Sequence, residues 1–143
     1  MSIELDYALP SATLCDYVTP NETEAEGLTG IKVSSVDDAR RAADVLLAKG
    51  AGAVIVTLGE NGALLHTKSR SEHVGAVNAG PVVETTGAGD AFNGGLAAAL
   101  AKGVEPLEAM RFACAVAGIS VTRPGTAPSM PTLQEVEALL ARA

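Results

Sequence analysis

The sequence predicts an α/β fold in which a mostly parallel sheet, containing a βαβ unit, is flanked by helices. Three observations carry this expectation. Ala53-Val54-Ile55-Val56-Thr57-Leu58 is a continuous apolar run of strand length, the pattern of a central parallel strand covered on both faces. Just before it, Val36, Ala39, Ala42, Ala43, Leu46 and Leu47 recur at helical spacing. Aromatic residues make up only 3% of the 143 and Trp is absent, so the helices are expected to pack closely through small side chains.

The elements follow in order. Asp16-Tyr17-Val18-Thr19 reads as a short buried strand ending at Pro20-Asn21, and Glu22 to Leu28 as a short helix closed by Gly30. Ser34 or Ser35 caps the next helix, which stops at Gly50 after Lys49. An acidic first turn and a basic last turn suit its macrodipole. Strand, helix and strand then make a right-handed βαβ unit. Ala63 to His66 and His73 to Val77, separated by a polar turn at Lys68 to Glu72, read as antiparallel strands at one side of the sheet. The remainder is helical: Ala88 to Lys102, stopped by Gly103; Pro106 to about Val121; and Thr132 to the end, opened by the capping box Thr132-Leu133-Gln134-Glu135. The opening stretch to Leu14 has no clear period, and residues 1–143 read as one domain.

Charge narrows the function. Seventeen acidic residues against ten basic ones give a net charge of -7, and the basic residues are scattered apart from Arg40-Arg41. Nucleic acid is not an expected partner, because no basic stripe displaces counterions from a phosphate backbone. An acidic chain that binds a nucleoside triphosphate must use backbone N–H groups, a helix terminus and bound cations. Cys15 and Cys114 lie far apart, and His66 and His73 form no familiar zinc pattern. The N-terminus is acidic where a signal peptide is basic, and no apolar run approaches a membrane span. A soluble, cytoplasmic protein without a structural metal is the expectation.

The sharpest feature is Glu84-Thr85-Thr86-Gly87-Ala88-Gly89-Asp90-Ala91-Phe92-Asn93-Gly94-Gly95, placed immediately before an alanine-rich helix. Phe92 stands where a dinucleotide fingerprint needs its third glycine, and no Gly-Lys-Ser/Thr follows as in a Walker loop. Gly87, Ala88 and Gly89 instead offer backbone N–H groups at a helix start, where an anion is welcome. Asp90 puts a carboxylate beside them. In phosphoryl transfer such a carboxylate accepts the proton of the attacking hydroxyl while backbone donors neutralise the phosphoryl oxygens. The alternative is an N-terminal helix residue that stabilises the dipole.

Thr85-Thr86-Gly87-Ala88-Gly89-Asp90 resembles the C-terminal signature of the ribokinase-like (PfkB-type) sugar kinases. Two further segments match in order: Pro20-Asn21-Glu22-Thr23-Glu24 resembles the family's Asn-x-x-Glu motif, and Thr57-Leu58-Gly59-Glu60-Asn61-Gly62 its nucleotide loop. The resemblance runs from about Cys15 to the C-terminus and implies the C-terminal part of a ribokinase-like fold. It implies Asp90 as catalytic base and Gly87, Ala88 and Gly89 as anion hole. It places Asn21 on phosphate and Glu24 on Mg²⁺, usually through water, although Asn21 and Glu24 are equally a helix-capping arrangement. Thr57, Gly59 and Gly62 fall on the nucleotide, or form an ordinary glycine turn. Cys114 falls near the adenine, or is a buried small hydrophobe.

The resemblance extends to a monovalent cation site for K⁺, formed by Glu84 and Thr86 on one side and Ser120, Arg123, Gly125 and Ser129 on the other, several through backbone carbonyls. A tight Pro-Gly turn is the alternative. Glu84 departs from the Asp usual in the family, and the extra methylene displaces the carboxylate by about a bond length. The implied activity is ATP-dependent phosphorylation of a sugar hydroxyl, with wording closest to ribose kinases. Family members carry their sugar-binding glycine motifs and lid in a first half that has no counterpart here. The sequence therefore predicts association with such a half or with another copy, and leaves open a non-catalytic adenine-nucleotide-binding or assembly module.

Overall fold

The structure, a computed structural model, describes residues 16–125 and 130–142. Chain contacts divide it into two compact units, one running to Gly59 and including Ala63–His73, the other comprising Glu60–Gly62 and the chain from Val74 onward. No helix among the described residues is long and apolar enough to cross a membrane.

The first unit contains strand β1 (Tyr17–Val18), helices α1 (Glu22–Thr29) and α2 (Val36–Ala48), strand β2 (Ala53–Thr57) and strand β3 (Ala63–His66). Strand β4 (Ser71–Val74) completes a four-stranded sheet of order β1-β2-β3-β4. β1 pairs parallel with β2, with Tyr17 opposite Ala53 and Val18 opposite Val54. The two-helix crossover supplies the length a parallel connection needs. β2 pairs antiparallel with β3, from Val54 opposite His66 to Thr57 opposite Ala63. The sheet is therefore mixed: the short Gly59–Asn61 turn between β2 and β3 leaves room only for a reversal.

Local chemistry explains the boundaries. Asn21 caps α1 in a reciprocal capping box, and Gly30 closes the helix at φ 78°, a conformation that glycine adopts without a Cβ penalty. Ser35, rather than Ser34, caps α2, its hydroxyl accepting from the Asp38 N–H at 3.1 Å. The basic last turn expected for α2 is not there, because the helix ends at Ala48 and Lys49 is already its C-cap. Ala39, Ala42, Ala43, Leu46 and Leu47 turn inward and meet Val54, Val56 and Leu64 in one apolar cluster. The last expected strand also moves: β4 begins at Ser71, not His73, because the Thr67 N–H donates to the Arg70 carbonyl at 2.8 Å and closes a tighter turn than the sequence suggested.

The second unit is helical, with α3 (Ala88–Ala101), α4 (Pro106–Ser120) and α5 (Leu133–Arg142). Gly95 lets α3 and α4 approach closely, since a Cβ there would lie 2.9 Å from Cγ2 of Val116. Ala91, Ala115, Val116, Ile119, Val136 and Leu139 form one apolar cluster of the unit. At the start of α5 the expected capping box is present: the Glu135 N–H donates to the Thr132 hydroxyl, and the Thr132 N–H to Glu135 Oε1.

Candidate phosphate and nucleotide sites

In the first unit the end of β2 brings two candidate residues together. Asn21 and Thr57 form an isolated parallel bridge, and the Thr57 N–H donates to the Pro20 carbonyl at 3.0 Å. Asn21 Oδ1 accepts from the Glu24 N–H at 2.7 Å, while Glu24 Oε1 accepts from the Asn21 N–H at 3.0 Å. Both side chains are exposed. The capping arrangement read from the sequence is thus present, on an exposed Glu24. No cluster of three or more potential metal ligands occurs among the described residues. A single exposed carboxylate fits Mg²⁺ that keeps most of its waters, and does not fit an all-protein cage.

Gly59 and Gly62, two residues expected at the nucleotide, differ in what the fold demands of them. Gly59 has φ 57°, and a Cβ there would meet only Glu22 Oε1 at 3.9 Å. Gly62 has φ 88°, and a Cβ would fall 1.9 Å from the Val74 carbonyl oxygen. The fold alone therefore requires glycine at Gly62.

In the second unit, the segment before α3 turns at Gly87, the helix N-cap, in the left-handed conformation with φ 83°. No side chain caps this helix. The Ala88 N–H donates back to the Thr85 carbonyl at 3.1 Å, and the Ala91 N–H to the Gly87 carbonyl at 2.9 Å. Of the three expected donors, Ala88 is thus engaged internally, whereas Gly87 and Gly89 have no backbone partner among the described residues. Gly89 and Asp90 are exposed. Gly89 is not among the glycines with positive φ, and a Cβ on it would meet nothing within 4 Å. Nothing in the fold asks for glycine there, in contrast to Gly62. A ligand that must approach the backbone does ask for it.

A model of the pfkB family of carbohydrate kinases matches residues 5–133. The chain belongs to the pfkB carbohydrate kinase family. This pfkB chain is 44% identical to ribokinase of Haemophilus influenzae over 123 residues, covering 86% of itself and 40% of that relative. It is 44% identical to deoxyribokinase of Salmonella typhi over 134 residues, with 92% and 42% covered. Among solved structures it superposes on Arabidopsis thaliana ribokinase complexed with ribose and ATP at a TM-score of 0.84 and 36% identity, covering 87% of this chain and 40% of that one. The chain thus spans about 40% of the length of these relatives.

Cys114 lies on α4, 5% exposed, and burial pushes its thiol up to about 11. Of the residues expected at a monovalent cation, Ser129 lies outside the described residues. Thr86 is exposed. Glu84 Oε2 accepts from the Gly125 N–H at 2.7 Å, the Ser120 carbonyl accepts from the Arg123 N–H at 3.2 Å, and the Arg123 guanidinium pairs with Glu135. Nothing in the sequence signals the Arg123 to Glu135 pair, whose partners stand twelve residues apart.

Proposed function

We propose that this pfkB-family chain carries the phosphoryl-transfer machinery of an ATP-dependent pentose kinase, residues 1–143 acting as one nucleotide-binding domain. The observation that supports this most directly is Gly89, a residue whose missing side chain the fold does not explain and a bound phosphoryl group does. The amides of Gly87 and Gly89 neutralise the charge that develops on the phosphoryl oxygens, and the α3 N-terminus adds its dipole. Asp90, exposed in the first turn of α3, takes the proton from the attacking sugar hydroxyl. Asn21 and Thr57 hold the nucleotide, and Glu24 binds the water shell of Mg²⁺, which when bound offsets charge on the β- and γ-phosphates. The relatives' names point to ribose or deoxyribose as the acceptor class.

A second reading, a nucleotide-binding module that works by association without catalysis, is favoured by Val82 and Val83, which lie 66% and 62% exposed. Apolar surface of this kind associates readily. ATP-dependent ribose phosphorylation separates the two readings, measured with the chain alone and with the N-terminal portion of a ribokinase relative added. The kinase reading expects product, and expects Asp90→Asn to lower turnover by at least roughly 10²-fold. Near-normal turnover in that variant would sink Asp90 as the base, and nucleotide binding without any transfer would favour the second reading.

A further inference from the structure

The cation site implied by the family resemblance is poorly matched by what surrounds Glu84. The Glu84 carboxylate reaches across 41 residues of sequence to accept the Gly125 N–H at 2.7 Å, the length of a charge-assisted hydrogen bond. Beside it, the Val83 and Glu84 N–H groups both donate to the Val121 carbonyl, at 2.7 and 3.1 Å. The loop after α4 is therefore fastened to the segment that leads into the Gly87 turn by three hydrogen bonds. A cation cage needs converging oxygens. Here an N–H points at the carboxylate, and the Ser120 carbonyl accepts from the Arg123 N–H. Two of the oxygens that would serve a monovalent cation, Glu84 Oε2 and the Ser120 carbonyl, already accept N–H groups of the protein.

We propose that Glu84 is a positioning residue whose carboxylate fastens the Val121–Gly125 loop and so fixes the approach to the Gly87–Asp90 turn, in place of a bound monovalent cation. Length is the reason that Glu serves and Asp does not. An aspartate is shorter by about one bond of 1.5 Å, which opens the 2.7 Å contact well past hydrogen-bonding distance. The inference rests on the proposed phosphate turn for its consequence, but not for its geometry.

Backbone amide exchange and chemical shifts, followed by NMR in KCl and in choline chloride, test both parts. The account expects the Gly125 amide to be protected equally in the two salts. It expects Glu84→Asp to speed exchange at Gly125 by roughly 10- to 100-fold and to shift the Gly89 and Asp90 amide resonances, with Glu84→Gln retaining part of the protection. If Glu84→Asp does not fold, the wild-type salt comparison and Glu84→Gln carry the test. Protection at Gly125 that appears only with K⁺, or that survives both substitutions, overturns the proposal. Because none of these readouts uses nucleotide, failure of the kinase reading leaves them intact.

Discussion

Asn21 and Thr57 are bridged in parallel, so the N-cap of α1 is stitched to the last residue of β2. One residue thus ends a strand pairing, starts a helix and offers its side chain to solvent. Structural and ligand roles overlap at Asn21, and substitutions chosen for capping separate them. Asn21→Ala is expected to cost about 1 kcal/mol of stability and to weaken ATP binding. Asn21→Asp keeps a good cap and is expected to leave stability within about 0.5 kcal/mol of wild type, yet to weaken ATP binding because it sets a negative charge against phosphate. Denaturant titration and calorimetric binding check the pair. Unchanged binding in Asn21→Asp would leave Asn21 a cap and nothing more.

Gly62 is the counter-case. Its positive φ and the Val74 carbonyl 1.9 Å from a built Cβ mean that any side chain must move backbone. Gly62→Ala is expected to destabilise by at least about 2 kcal/mol, read as a lower urea midpoint with unchanged slope. A midpoint equal to wild type would show that the turn relaxes freely.

Cys114 gives a pH signature. Its thiol ionises near 9.0 when exposed and near 11 when buried here. The buried, neutral thiol therefore contributes its full stability below pH 9, and that contribution is lost as pH rises through 11. The stability gap between wild type and Cys114→Ala is expected to narrow over that window. At pH 8 only about one thiol in a thousand is thiolate, so labelling of Cys114, located by peptide mass spectrometry, should be slow until the protein unfolds. Rapid labelling of the native protein would contradict the burial.

Much of the fold was legible because it rests on local patterns. The β2 run, the inward stripe of α2 and the Asn21 and Thr132 capping boxes are written in spacings of a few residues, and the structure reproduces them. The start of β4 was not legible, since the closing Thr67 to Arg70 hydrogen bond depends on how the turn tightens. The glycines looked alike in sequence, and only three-dimensional surroundings separate Gly62, required by a nearby carbonyl, from Gly89, required by nothing in the fold. The extra methylene of Glu84 was visible as a departure. Its partner, Gly125, was not.

The central claim is that the turn at Gly87 to Asp90 binds phosphate through its backbone, and Gly89→Leu tests it most directly. With open space around its Cβ and an ordinary helical conformation, the variant is expected to melt no lower than wild type, because replacing glycine in a helix gains up to about 1 kcal/mol. Calorimetric titration with Mg²⁺ and a non-hydrolysable ATP analogue should then show saturable binding by the wild-type chain and its loss in this equally stable variant. Equal binding by both proteins, or none by the folded wild type, would contradict the claim.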